Sequence, residues 1–106
     1  MKKIIYVVFI FCIPFSIHAE SICTSLNNQN IRYGARDIQT SNEITKLQKF
    51  LQSNNYLSAN PTGFFGSATL SAVKKFQKTH ALNPTGFVGS LTRAKIKYLS
   101  CSANGS

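Results

Sequence analysis

The chain has few residues that could carry acid–base or metal chemistry: its 106 residues include only three Asp plus Glu and two His. A catalytic zinc site needs several His or carboxylate ligands, and a glycosidase needs two placed carboxylates. A nucleophilic cysteine needs a neighbouring base, yet no spacing in the sequence joins His80 to Asp37 or to a nucleophile. We therefore expect no catalytic residue, no metal ligand and no cofactor, and a protein that is not an enzyme.

Long apolar runs are also missing, because the unbroken run at residues 4–13 has only ten members. As a helix it would rise about 15 Å, half the hydrocarbon thickness of a bilayer, so a membrane anchor is the weaker interpretation. The run follows a short cationic start, and Pro14 interrupts it, which is the layout of a secretory signal peptide. We expect residues 1–19 to be removed after Ala19 and the protein to be exported, to a periplasm or outside the cell.

Negative charge is scarce as well. Removing Lys2 and Lys3 with the signal peptide leaves ten Lys plus Arg against three acids and lowers the net charge from +9 to +7. This balance favours polyanionic partners such as anionic lipid headgroups or an acidic polymer outside the cell. Export makes nucleic acid the least suitable partner, and we expect neither nucleic-acid binding nor stable membrane insertion.

Cysteine is limited to three residues, and Cys12 lies in the segment expected to be removed. Cys23 and Cys101 remain at opposite ends of the chain, and two cysteines in an oxidising compartment most simply form a disulfide. Closing so long a loop would stabilise the fold by roughly 4–5 kcal/mol in the chain-entropy model. The alternative is a pair of free or intermolecular thiols.

Residues 20–40 are polar and lack sustained periodicity, which predicts an N-terminal arm that brings Cys23 to the C-terminus. A helical domain is predicted over residues 41–101, followed by a short tail at 102–106. Thr40 and Glu43 fit a capping box at the start of the first helix. An apolar stripe marks its inner face, and the helix is predicted to end at the two asparagines 54–55. The stripe consists of Ile44, Leu47 and Leu51.

Two further helices follow. Ser67 and Ser90 are predicted to cap them, the second helix to end near residues 79–80, and the third to stop before Cys101. Their predicted inner faces, together with three core phenylalanines, are set by helical spacing. These residues are Thr69, Ala72 and Val73 in the second helix, Thr92, Ile96 and Leu99 in the third, and Phe50, Phe65 and Phe76.

An internal repeat is the most informative feature. Residues 61–69 (PTGFFGSAT) return as residues 84–92 (PTGFVGSLT), 23 positions later. Each copy holds one apolar residue, Phe65 or Val88, beside glycines that supply backbone angles other residues resist. We interpret each copy as a loop whose apolar residue enters the core before a helix begins. The predicted fold is all-α, a compact three-helix bundle with two glycine-rich loops and an N-terminal arm.

The pattern resembles the peptidoglycan-binding domain family, whose members are three-helix domains often attached to bacterial cell-wall hydrolases. The resemblance extends over about residues 44–99, and the flanking cysteines are similar to those of a bacterial subgroup. Asn55 and Ala81 stand where the family usually has glycine; Ala81 resists positive φ, so helix two should end at His80 or continue to Asn83. The matching positions are Leu47, Gln48, Leu51, Tyr56, Gly63, Phe65, Gly66, Thr69, Ala72, Val73, Phe76, Gln77, Leu82, Gly86, Val88, Gly89 and Thr92.

This resemblance implies non-catalytic binding of cell-wall peptidoglycan, through its peptide stems or its glycan, by an exported stand-alone module. We expect a shallow groove at the two glycine loops. Phe64 and Phe87 each precede a core residue, so their side chains should point away from the core; the alternative is packing on a neighbouring helix. The candidate contacts are Tyr56, Asn60, Thr62, Phe64, Lys75, Lys78, Asn83, Thr85 and Phe87.

Three lysines, Lys74, Lys75 and Lys78, share one face of the second helix. They form either a solvated face or a salt-dependent attraction for wall carboxylates. Two other functions stay open. One is an adaptor or targeting protein that binds an envelope enzyme such as a cell-wall hydrolase. The other is a cationic membrane binder, against which the fixed fold implied by the glycine loops argues.

Overall fold

The computed structural model describes residues 23–102, so the predicted signal peptide and most of the predicted tail lie outside the described residues. Within that range the fold is all-helical and contains no strand; one isolated antiparallel bridge joins Arg36 to Phe64. This confirms the predicted fold class. None of the helices at positions 23–102 is long and apolar enough to cross a membrane. The helices are α1 (Asp37–Thr40), α2 (Glu43–Ser53), α3 (Ser67–Thr79) and α4 (Ser90–Ser102).

One hydrophobic core lies between α2, α3, α4 and the arm. The predicted inner faces of α2 and α3 are confirmed as buried, as are the three core phenylalanines and Val88, and Leu99 of α4 packs against the core while partly exposed. Burying such a side chain contributes about 1.5–3 kcal/mol. The buried apolar residues are Leu26, Ile31, Ala35, Ile44, Leu47, Phe50, Leu51, Leu57, Phe65, Ala72, Val73, Phe76, Val88 and Ile96.

The arm contributes to this core, which its irregular sequence did not indicate. Ile31 is fully buried, and its carbonyl accepts a hydrogen bond from the Val88 N–H at 3.0 Å. Gly34 donates to the Phe65 carbonyl, and Phe65 donates to the Ala35 carbonyl, each at 2.8 Å. The arm is therefore hydrogen-bonded to both glycine loops.

The disulfide between Cys23 and Cys101 is confirmed, with the two Cα atoms 4.5 Å apart. Beside it, the Thr24 N–H donates to the Ser100 hydroxyl at 2.8 Å. The prediction that the third helix stops before Cys101 was wrong, because α4 continues to Ser102. The disulfide thus ties the beginning of the arm to the last turn of α4.

The predicted capping box was wrong. Thr40 closes α1 instead, and its hydroxyl donates to the Arg36 carbonyl at 3.2 Å. The Glu43 carboxylate accepts the N–H groups of Asn27 and Asn28 at 2.9 and 2.8 Å. Glu43 is 5 % exposed, and its carboxylate satisfies donors of the arm, which need a partner once they are turned away from water.

The predicted ends of the first two of the three main helices agree with the structure. After α2 ends, Asn55 has φ 66°, and after α3 ends at Thr79, Ala81 has φ 58°. Helix α3 therefore does not continue to Asn83. The Leu82 N–H closes the end of α3 on the Gln77 carbonyl at 2.7 Å, and this bond holds Ala81 in a left-handed conformation that costs an L-residue roughly 1–2 kcal/mol.

Candidate functional site

The first glycine loop, residues 61–66, is held by a side chain from α2. Gln48 is 2 % exposed, and its Oε1 accepts the N–H groups of Thr62 and Gly63, each at 2.9 Å. Its Nε2 donates to the Phe64 carbonyl and to Thr69 Oγ1, each at 2.9 Å. These bonds use both donors and both lone pairs of the amide, so the loop is fixed to the helix before it and to the helix after it.

The second loop, residues 84–89, repeats the arrangement with Gln77 of α3. Gln77 is 1 % exposed; its Oε1 accepts the Gly86 N–H at 2.8 Å, and its Nε2 donates to the Phe87 carbonyl at 2.9 Å and to Thr92 Oγ1 at 3.1 Å. We call each arrangement a glutamine clasp. Both glutamines belong to the sequence pattern of the family, but the sequence alone assigned them no role. The feature that could have indicated their burial is that each is an uncharged polar residue directly after a core residue on a buried helix face.

Glycine is required at two kinds of position in each loop. Gly63 and Gly86 have φ 81° and 85°, a region that glycine adopts without steric cost. Gly66 and Gly89 come directly before α3 and α4, and a Cβ at either would lie 3.2 Å from the ring of Phe64 or Phe87. The ring that precedes each helix therefore folds back over a glycine.

The predicted serine caps were wrong, because α3 and α4 begin at Ser67 and Ser90 themselves. Gly66 is the N-cap residue of α3 and no side chain caps it, while Ser67 is the first helical residue and is exposed. The Leu70 N–H donates to the Gly66 carbonyl, and the Arg93 N–H donates to the Gly89 carbonyl, each at 2.9 Å. A side chain at either N-cap position would place its Cβ in tight contact with the phenylalanine ring.

A shallow depression lies at each loop. The first depression has a volume of about 230 Å³ and the second about 330 Å³. The residues of the first loop and of α3 that line the first depression have counterparts, 23 positions later in the chain, that line the second depression. The first depression is lined by Gln48, Leu57, Ala59, Asn60, Thr62, Phe64, Gly66, Ser67, Ala68 and Thr69. The second is lined by Gln77, Leu82, Asn83, Thr85, Phe87, Gly89, Ser90, Leu91 and Thr92.

Six of the nine predicted contact residues thus lie in these two depressions, three in each. The first holds Asn60, Thr62 and Phe64, and the second holds Asn83, Thr85 and Phe87. The two threonines also stabilise their loops, since the Phe64 N–H donates to Thr62 Oγ1 at 3.2 Å and the Phe87 N–H to Thr85 Oγ1 at 3.0 Å.

The other three predicted contacts lie elsewhere. Tyr56 is half-buried; its ring packs edge-on against Phe76 with centroids 5.5 Å apart, and its hydroxyl is 3.4 Å from His80 Nε2. Lys75 and Lys78 are exposed on α3 and line neither depression. Lys74 also lines neither depression, but it lies beside the second loop, because its Cε would be 3.2 Å from a Cβ at Gly86.

The acidic side chains of the described residues have structural partners. Asp37 Oδ1 accepts the Thr45 N–H at 2.9 Å, and Glu43 accepts hydrogen bonds from the arm. Residues 23–102 contain ten Lys plus Arg and only these two acids, so this part of the chain has an excess of positive charge. In the same range, no three His, Cys, Asp or Glu side chains are grouped so that they could hold a metal ion.

Three helices joined by two clasped glycine loops, each loop opening directly into a helix, define a small helical module. The chain belongs to the peptidoglycan binding domain family, whose model matches residues 40–96, more than half of the sequence. No curated protein and no solved structure matches the chain significantly. The family match begins at the last residue of α1, so most of the arm lies outside it.

Proposed function

We propose that the protein is exported and binds bacterial peptidoglycan non-catalytically through the surface at its glycine loops. The observation that carries the proposal is the family match, because residues 40–96 include both loops, both glutamine clasps and most of the three helices. The N-terminal layout of a signal peptide and a disulfide, which persists in oxidising compartments, support a location in the cell envelope.

The chemistry of the loop surface suits a ligand that is part apolar and part hydrogen-bonding. Each depression offers an aromatic ring, an asparagine amide and hydroxyl groups, and such convergent apolar and polar groups are typical of ligand sites. The basic residues, which outnumber the acids, would add a long-range attraction for the carboxylates of the wall, which salt screens with a Debye length of about 8 Å at physiological ionic strength.

The test is co-sedimentation of residues 20–106, with the disulfide formed, and purified insoluble sacculi. We expect the protein to pellet with sacculi at low salt and at about 0.15 M salt. Loss of pelleting already at about 0.15 M would reduce the interaction to charge attraction. No pelleting at any salt concentration would refute the proposed function.

A further inference from the structure

The two depressions have related sequences but unequal access. The ring of Phe64 in the first is half-buried, and the Arg36 guanidinium carbon lies 4.4 Å from its centroid. The ring of Phe87 in the second is 40 % exposed. Arg36 belongs to the arm and precedes the segment matched by the family model. A part of the chain outside the family match therefore lies over the first ring, and no cation of the described residues lies over the second, which is the more exposed of the two.

The polar and apolar groups around the two rings also differ, and again those of the second depression are more accessible. In the first depression, Asn60 Oδ1 already accepts a hydrogen bond from Gln52 Nε2 at 3.1 Å. Its counterpart Asn83 has a side chain that makes no hydrogen bond to the described residues. Where the first depression has Ala68, the second has Leu91, which is 74 % exposed. The second depression therefore presents a free amide and an apolar side chain that the first does not.

The charge beside each loop also differs. A Cβ at Gly63 would lie 2.6 Å from Asp37 Oδ2, whereas a Cβ at Gly86 would lie 3.2 Å from Lys74 Cε. The first loop thus has both a carboxylate, Asp37, and a guanidinium, Arg36, beside it, whereas the second has the Lys74 side chain. Lys74 therefore attracts an anionic ligand to the second loop, whereas at the first loop the attraction of Arg36 is opposed by the repulsion of Asp37.

We propose that the second depression alone is the binding site and that it takes the peptide stem of peptidoglycan. A free asparagine amide offers donors and an acceptor to a peptide group, Phe87 and Leu91 contact a small aliphatic side chain, and Lys74 pairs with a stem carboxylate. This proposal rests on the proposed function. It differs from the pair of equivalent binding sites that the sequence repeat suggests.

Leu91→Ser and Ala68→Ser form the matched test, because both change an exposed residue at the same position of equivalent helices. Sacculus co-sedimentation at about 0.15 M salt should show at least tenfold weaker binding for Leu91→Ser and for Asn83→Ala, and unchanged binding for Ala68→Ser. Thermal unfolding by circular dichroism checks that each variant folds. Equal binding by Leu91→Ser and Ala68→Ser would overturn the assignment, whereas failure of the unaltered protein to pellet would refute the proposed function instead.

The ligand class is tested by competition. A synthetic tetrapeptide with the stem sequence should release the protein from sacculi, and a wall disaccharide without a peptide should not. Release by the disaccharide alone, or by neither compound, would overturn the choice of the stem. Lys74→Gln should weaken binding of the tetrapeptide severalfold and remove part of its salt dependence. Lys49 lies near the disulfide, and Lys49→Gln should change neither the binding of the tetrapeptide nor its salt dependence. Equal losses of binding in the two lysine variants would indicate general charge attraction.

Discussion

The glutamine clasp makes the sharpest stability prediction. Truncating Gln48 to alanine would leave the N–H groups of Thr62 and Gly63, the Phe64 carbonyl and Thr69 Oγ1 without their partner. A buried polar group that loses its partner costs about 1–3 kcal/mol, and some of these groups would regain water through the opened loop. We therefore expect Gln48→Ala to lower the free energy of unfolding by about 3–5 kcal/mol, a large share of the stability of a small domain.

Gln52 is the matched control, because it lies one turn later on the same helix. Its Nε2 donates to Asn60 Oδ1 and, at 3.4 Å, to the Ala59 carbonyl, both exposed contacts. Gln52→Ala should therefore cost less than about 1 kcal/mol. The assay is urea unfolding of the oxidised proteins followed by circular dichroism. If both variants lost the same stability, the clasp would not be what holds the first loop.

Three further predictions concern the backbone, the disulfide and the cover of the first ring. Ala81→Gly should raise the free energy of unfolding by about 1 kcal/mol because it removes left-handed strain. Ala94→Gly, inside α4, should lower the free energy of unfolding by about 1 kcal/mol. Thermal unfolding of both variants checks this, and a change of the same sign in the two variants would contradict it. Replacing Cys23 and Cys101 together by serine should cost roughly 4–5 kcal/mol, measured against the oxidised parent in urea; a loss below about 1 kcal/mol would show that the arm stays docked without the bond. Arg36→Ala should cost about 0.5–1 kcal/mol and make Phe64 more accessible to a fluorescent apolar dye, and an unchanged dye signal would contradict the contact.

The three main helices and the two loops could be predicted from the sequence because their signals are local. Helical spacing identified the buried residues of α2 and α3, and the repeat identified the loops. The burial of Leu26 and Ile31 could not be predicted, since an arm without regular structure has no period to reveal its inner side. The role of Glu43 was missed for a related reason: its partners are 15 and 16 residues away, and a local capping pattern does not include them.

The position of the candidate site could be predicted from the sequence, but the difference between its two loops could not be predicted in full. The repeat placed Asn60 and Asn83, or Phe64 and Phe87, in equivalent surroundings. The difference between them comes from Arg36, Gln52 and Lys74, whose contacts depend on how the arm and helices pack around each loop. The sequence shows the difference between Ala68 and Leu91 within the repeat, but the contacts of Arg36 with Phe64 and of Gln52 with Asn60 are seen only in the folded chain.

Sacculus co-sedimentation at about 0.15 M salt is the most direct measurement of the central claim. The unaltered protein should pellet with sacculi, Ala68→Ser should pellet with it to the same extent, and Leu91→Ser should stay largely in the supernatant. A soluble wild-type protein in the presence of excess sacculi would contradict peptidoglycan binding itself.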